Sequence, residues 1–272
     1  MGVIVHAAAH ACLIETDPER KAALAIALRD DWRLGLLETA CEIALPDVVD
    51  AGRPVRPKLV DARSLPKRGL GTAEGRAALV HAVAHIEFNA INLACDAVFR
   101  FLGLPDAFYG DWIGVAAEEG EHFRLLRDRL RELGHDYGDF SAHGGLWDMA
   151  RRTVHDPLAR MALVPRVLEA RGLDVTPGIM QRLRRAGDQR TADLLVIILR
   201  DEIGHVAAGT RWFRYLCDQR GLDPEPTYFA LLKEFLRGEL RCPLYLEARR
   251  AAGFTETELA RLQAICQHRS ES

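Results

Sequence analysis

Lysine is almost missing from this 272-residue chain: Lys21, Lys58, Lys67 and Lys233 are the whole supply, and arginine carries nearly all the positive charge. An excess of either sign is missing too, since 36 basic and 39 acidic residues leave a formal net charge of −3. That balance excludes a global field that would draw in nucleic acid or an anionic membrane, and leaves room only for local patches. No C-x-x-C pair occurs among Cys12, Cys41, Cys95, Cys217, Cys242 and Cys266, which argues against a zinc ribbon or a redox dithiol. A disulfide framework fits poorly with a chain this long and 49% hydrophobic, so buried reduced thiols are expected. No uninterrupted apolar run reaches the roughly 18 to 20 residues that span a bilayer. The N-terminal apolar stretch has no basic flank and is broken by His6 and His10, unlike a signal peptide. A cytoplasmic protein without membrane association is the resulting expectation. A chain of this size also buries enough apolar surface to fold without a metal or disulfide staple.

Alternating β-branched stretches bounded by turns are scarce, whereas helix punctuation is frequent, so the fold class is all-α. Thr16-Asp17-Pro18-Glu19 reads as a capped helix start whose apolar pattern runs to about Ile43. Pro46, Pro54, Pro57 and Pro66 make the stretch to Gly71 a long irregular connection. Helices are expected from about Thr72 to Leu102 and from Asp106 to Leu133, with Gly103-Leu104-Pro105 between them. After the Gly- and His-rich loop 135–145, Leu146 to Arg171 reads as helix with a break at Asp156-Pro157, a kink at Pro165 and a stop at Gly172. A short helix after Thr176-Pro177 and a long one from Asp188 to Arg220 follow. The reading is a single domain over 1–272: a core bundle at about 72–220 with helical additions over 16–45 and 226–268.

Two short stretches repeat one pattern: Glu118-Glu119-Gly120-Glu121-His122 and Asp201-Glu202-Ile203-Gly204-His205. Each contains Glu-x-x-His, and residues three apart on a helix point to one side, so one ion can meet both side chains. A dinuclear carboxylate site needs a further Glu from each of two other helices. Between Gly75 and Ala117 the sole Glu is Glu87, and between Leu133 and Asp201 the sole Glu is Glu169. Glu87 precedes Glu119 by 32 residues and Glu169 precedes Glu202 by 33, so the halves carry nearly the same spacing. A hairpin folded at Gly103, 16 residues from both Glu87 and Glu119, brings those two carboxylates to one height. Four buried carboxylates repel one another and lose hydration, and divalent cations offset both costs. Glu118 with His122 and Asp201 with His205 are i,i+4 pairs that offer a second register. Taken singly, each Glu is more simply a salt-bridged surface acid; the argument rests on the six together.

Other features have plainer explanations. His81 and His85 form H-x-x-x-H, but Glu87 lies about 200° around the helix from His85, so core or surface histidines are the simpler reading. His135 and His143 sit in the Gly-rich loop and Trp112 lies seven residues before Glu119. Arg182, Arg184, Arg185 and Arg190 suit either a solvated helix face or the phosphate backbone of RNA.

The segments HIEFNAINLA, EEGEHF, VLEARGLDVTP and RDEIGHV resemble an uncharacterised bacterial family of ferritin-like proteins known as a domain of unknown function. That family is more distantly similar to the di-iron hydroxylase that modifies isopentenylated tRNA. The resemblance covers roughly residues 15 to 250 and implies a ferritin-like four-helix bundle with Glu87, Glu119, His122, Glu169, Glu202 and His205 as metal ligands. It implies no substrate. The expectation is therefore a non-haem dinuclear protein holding two Fe ions, with Mn or mixed Fe/Mn as alternatives, that activates O2 to oxidise or hydroxylate an organic substrate. Glu119 and Glu202 would bridge the ions, Glu87 and Glu169 would bind terminally, and each His would bind one ion. The alternative is a metal-binding or structural ferritin-like protein without organic turnover; a homodimer is compatible with either.

Overall fold

A computed structural model describes residues 3–39, 50–66, 68–236 and 240–270. The chain divides into two compact units, Met1–Arg151 and Arg152–Ser272, and its regular structure is almost entirely helical.

In the first unit, β1 (Val3–Ile4) leads into α1 (Val5–Ile14) and α2 (Pro18–Arg33), after which β2 (Leu37–Glu38) pairs in parallel with β1. The α1 helix was not anticipated, because His6 and His10 interrupt its apolar run. Both histidines are absorbed by the next long helix: His6 Nδ1 lies 2.6 Å from the Val98 carbonyl, and His10 stacks on Phe99 with centroids 4.7 Å apart. Asp17 caps α2 by accepting from Arg20 N–H at 2.8 Å, with Pro18 in the first turn. The expected run of this helix to Ile43 is corrected: it ends at Arg33, and Gly35 reverses the chain at φ +68° so that Leu37 can enter the strand pair. Ile43 itself lies outside the described residues.

Thr72 caps α3 (Ala73–Arg100) by accepting from Gly75 N–H, and Gly103 at φ +72° turns the chain into α4 (Asp106–Glu132). The short connection and extensive packing make α3 and α4 a helical hairpin, with α1 against α3 and α2 against α4. A Cβ on Gly120 would meet the Ala22 carbonyl oxygen at 3.0 Å, so α2 approaches α4 closely there. Although it lacks a long uninterrupted apolar run, α3 is long and apolar enough to cross a bilayer, and 72% of its most apolar stretch is buried inside the protein. The connection before α3 is pinned to the Gly-rich loop by paired backbone bonds between Lys58, Val60 and Ala142, and α5 (Gly145–Arg152) follows.

In the second unit, Asp156 caps α6 (Pro157–Leu163), which widens into a π-helical turn over Val164–Glu169 and continues as α7 (Ala170–Arg185). Pro165 thus produces a π turn, which absorbs its missing N–H. Gly172 does not stop the helix and no separate helix starts after Thr176-Pro177: α7 runs through both. Leu173, Met180 and Leu183 are buried on the helix, which packs along α8 (Gln189–Gln219), and that burial outweighs one lost backbone bond. A Cβ on Gly209 of α8 would lie 2.2 Å from Pro165 Cγ, so the π turn and α8 touch backbone to ring.

The remaining elements are α9 (Pro224–Leu236), α10 (Leu246–Ala251) and α11 (Glu256–Ser270). Arg166, fully buried, donates to Glu258 Oε1 at 2.6 Å and lies 4.0 Å from the Tyr228 ring centroid and 4.6 Å from that of Phe254. Arg249 grips Asp174 with two hydrogen bonds of 2.8 and 2.9 Å. These pairs fasten α10 and α11 to the π turn and α7. Cys242 and Cys266 close a disulfide, which corrects the expectation of reduced thiols throughout; Cys12, Cys95 and Cys217 are free and buried. The pairing was hidden because 24 residues separate the two cysteines and only the return of α11 brings them together.

Candidate metal centre

Three of the six expected ligands belong to the first unit, and the α3–α4 hairpin brings them together. Glu87, Glu119 and His122 are all buried, and ligating atoms from the three lie within 4.8 Å of one another. His122 Nδ1 is 3.3 Å from Glu87 Oε2 across the hairpin and 3.6 Å from Glu119 Oε2 one turn back on α4. Glu119 sits at the third position before His122 and so shares its face, whereas Glu118 is only partly buried and Glu121 points out to Arg29 at 2.8 Å. The i,i+3 register therefore supplies the inward carboxylate.

Burial and the neighbouring Glu119 hold the Glu87 carboxyl well above the usual carboxylate range. Burial works against a charged imidazole at His122, but Glu119 and Glu87 outweigh it and raise the group to about 11. Two carboxylates and one imidazole are a donor set suited to Fe(II), Mn(II) or Zn(II). The residues of this unit therefore fit a metal ion by chemistry and by mutual distance.

The second unit carries the other three. Glu202 and His205, one turn apart on α8, are buried, with His205 Nδ1 3.7 Å from Glu202 Oε1. Asp201 turns aside to Arg200 at 2.8 Å, so here too Glu-x-x-His is the inward register. Glu169 is buried at the last position of the π-helical turn, and that turn packs on α8. The single-turn π bulge is a feature frequently found at functional sites.

His81, His85, His135 and His143 have local duties. His81 Nε2 accepts the Gly138 N–H at 2.9 Å, and His85 Nδ1 lies 2.8 Å from the Tyr137 hydroxyl, so both tie the Gly-rich loop to α3. His135 approaches Asp139 at 3.6 Å, and His143 Nδ1 accepts from Gly145 N–H. Trp112 is buried and packs near Phe108. Arg182, Arg184, Arg185 and Arg190 are exposed around the turn from α7 to α8. No expectation was attached to Lys21, yet it is fully buried, donates to the Leu13 carbonyl at 2.7 Å and to Asn92 Oδ1, and is pushed down to about 8 by burial.

Residues 14–260 match the family described as "Protein of unknown function (DUF455)". An uncharacterised protein of Haemophilus influenzae is 46% identical over 254 residues, which cover 89% of this chain and 88% of that protein. No solved structure matches significantly. The match across almost the whole chain places this protein in that family of unknown function, and the buried Glu and His cluster is the chemical feature it contributes.

Proposed function

We propose that the chain is a ferritin-like dinuclear metal protein, most readily di-iron, that uses O2 to oxidise or hydroxylate an organic substrate. The observation that carries this reading is the Glu87, Glu119 and His122 cluster, two carboxylates and an imidazole converging within 4.8 Å in a buried helical hairpin. Support comes from the second unit, whose Glu169, Glu202 and His205 repeat the same residue types at nearly the same sequence spacing. In the proposed assignment Glu87, Glu119 and His122 would hold the metal from the first unit, and Glu169, Glu202 and His205 would supply the remaining ligands. A bound pair of redox-active ions supplies electron transfer to O2.

The protein's own residues do the rest. Glu87 and His122 release protons when a cation replaces them, so loading is coupled to proton release. Glu87, Glu119 and His122 are all almost fully buried, which keeps the cluster away from bulk water. The i,i+3 spacing on α4 holds Glu119 and His122 in fixed relation without a loop. The test is oxygen uptake by full-length protein loaded anaerobically with Fe(II), with and without Glu119→Ala. Stoichiometric uptake lost in the variant is expected. Iron bound without any oxygen-dependent reaction would favour the metal-binding protein without organic turnover.

A further inference from the structure

A cavity of about 200 Å³ opens in the first unit beside α3, and none of Glu87, Glu119 or His122 lines it. Its aromatic walls are Phe88, Tyr137 and Trp147, and its polar wall includes Asn89 and Asn92. The charged residues that line it, Asp50, Arg53, Asp148 and Arg151, are exposed, and two of each sign balance. The walls nearest α3 are thus built of carboxamides, a phenol, an imidazole and aromatic rings.

The two carboxamides are oriented by obligate partners. Asn89 Nδ2 faces the backbone carbonyl of His85 at 2.7 Å, and a carbonyl can only accept, so the amide nitrogen must be on that side. Asn92 Oδ1 receives the Lys21 amine, which has hydrogens to give, so the amide oxygen is on that side. What remains is Asn89 Oδ1 as an acceptor and Asn92 Nδ2 as a donor. Neither has a hydrogen-bond partner among the described residues, and neither is among the atoms sealed from solvent without one. Residues three apart on a helix have Cβ atoms about 5–6 Å apart, close enough for both arms to meet one small edge. The Trp147 indole N–H is a further donor, sealed from solvent and without an acceptor among the described residues.

We propose that this cavity is a second binding site, for a neutral planar ring carrying a lactam or carboxamide edge. The ligand N–H donates to Asn89 Oδ1, its carbonyl accepts from Asn92 Nδ2, and the ring lies among Phe88, Tyr137 and Trp147. Two oriented neutral groups favour such an edge over an ammonium or a carboxylate, because the nearby buried cation, Lys21, does not line the cavity and is engaged by the Leu13 carbonyl and Asn92 Oδ1. The volume lies below the roughly 300–1,000 Å³ of drug-sized sites and suits a single ring. The assignment is independent of the metal reading.

The test is calorimetric titration of the full chain with 2-pyridone, against N-methyl-2-pyridone, benzoate and benzylamine. Expected are saturable binding of 2-pyridone, at least ~10-fold weaker binding of the N-methyl compound and the two charged rings, and ~10-fold losses in Asn89→Leu and Asn92→Leu. Should a leucine variant fail to fold, the comparison of 2-pyridone with its N-methyl form on unaltered protein decides alone. No saturable 2-pyridone binding, or equal binding of the N-methyl compound or of benzoate, would overturn the proposal.

Discussion

At the scale of single residues, Glu87 is where the proposed metal ligand and a structural acid make opposite predictions. A carboxylate kept for stability sits beside a cation and loses about 3–5 kcal/mol when that pair is broken. Glu87 is buried next to Glu119, and burial and that neighbour raise its carboxyl well above the usual range although the His122 imidazole 3.3 Å away acts against them, so on balance its charged form is disfavoured in the metal-free fold. Glu87→Gln is therefore expected to leave the thermal midpoint of the metal-free protein unchanged or higher, while metal occupancy falls. A scan of chelated protein beside metal analysis of loaded protein checks both halves; a lower midpoint would mark Glu87 as structural. His81 gives a pH dependence of known sign. Burial pushes it down to about 4, and its Nε2 must be bare to accept the Gly138 N–H. The folded state then binds fewer protons than the unfolded chain between the ordinary histidine value, near 6.5, and about 4. Stability is full above the upper value and falls as pH drops through this window. His81→Gln keeps an acceptor and should flatten that slope in urea titrations at pH 7, 6 and 5. Glu87 and Glu169 stood out beforehand because Glu is sparse in the stretches around them, whereas the buried acids Asp96, Asp174 and Glu258 carried no such signal. Lys21 was not legible, since no local pattern says that a lysine in a helix will meet Asn92, 71 residues away.

Single elements were read best where punctuation is local. Thr72, Gly103 and Asp156 mark ends by their own side chains or dihedrals, and α3, α4 and α6 begin or end at them. Elements were misread where packing decides. The α7 helix runs through Gly172 and Pro177 because its apolar face covers α8, and α2 stops early because β2 recruits the following residues. The π turn is the element on which Glu169 depends, and its contact with α8 is unusually tight. Gly209→Ala would place a methyl 2.2 Å from a stiff proline ring, so a loss of about 1–3 kcal/mol or more is expected from denaturant unfolding. An unchanged midpoint would mean that the π turn has room to retreat. The disulfide that anchors α11 closes a loop of 24 residues, and chain-entropy reasoning gives it roughly 3 kcal/mol. Reduction should lower the midpoint accordingly and leave the chain helical by circular dichroism.

At the scale of the whole molecule, the all-α class followed from the scarcity of strand patterns, and the division into two compact units did not, because no linker of biased composition separates Arg151 from Arg152. Each unit holds one buried Glu-x-x-His pair and further buried Glu, Glu87 in the first and Glu169 and the Arg166-paired Glu258 in the second. Nearly balanced charge across the molecule conceals this: the net −3 says nothing of Glu87, Glu119, Glu169 and Glu202, which are all buried. The account turns on whether the halves act together on two ions. Metal analysis of full-length protein, loaded anaerobically with Fe(II) and freed of excess ion, tests this most directly. Two ions per chain are expected, with retention lost in both Glu119→Ala and Glu202→Ala. Binding of a single ion per chain that survives Glu202→Ala, or no binding at all, would contradict the dinuclear centre.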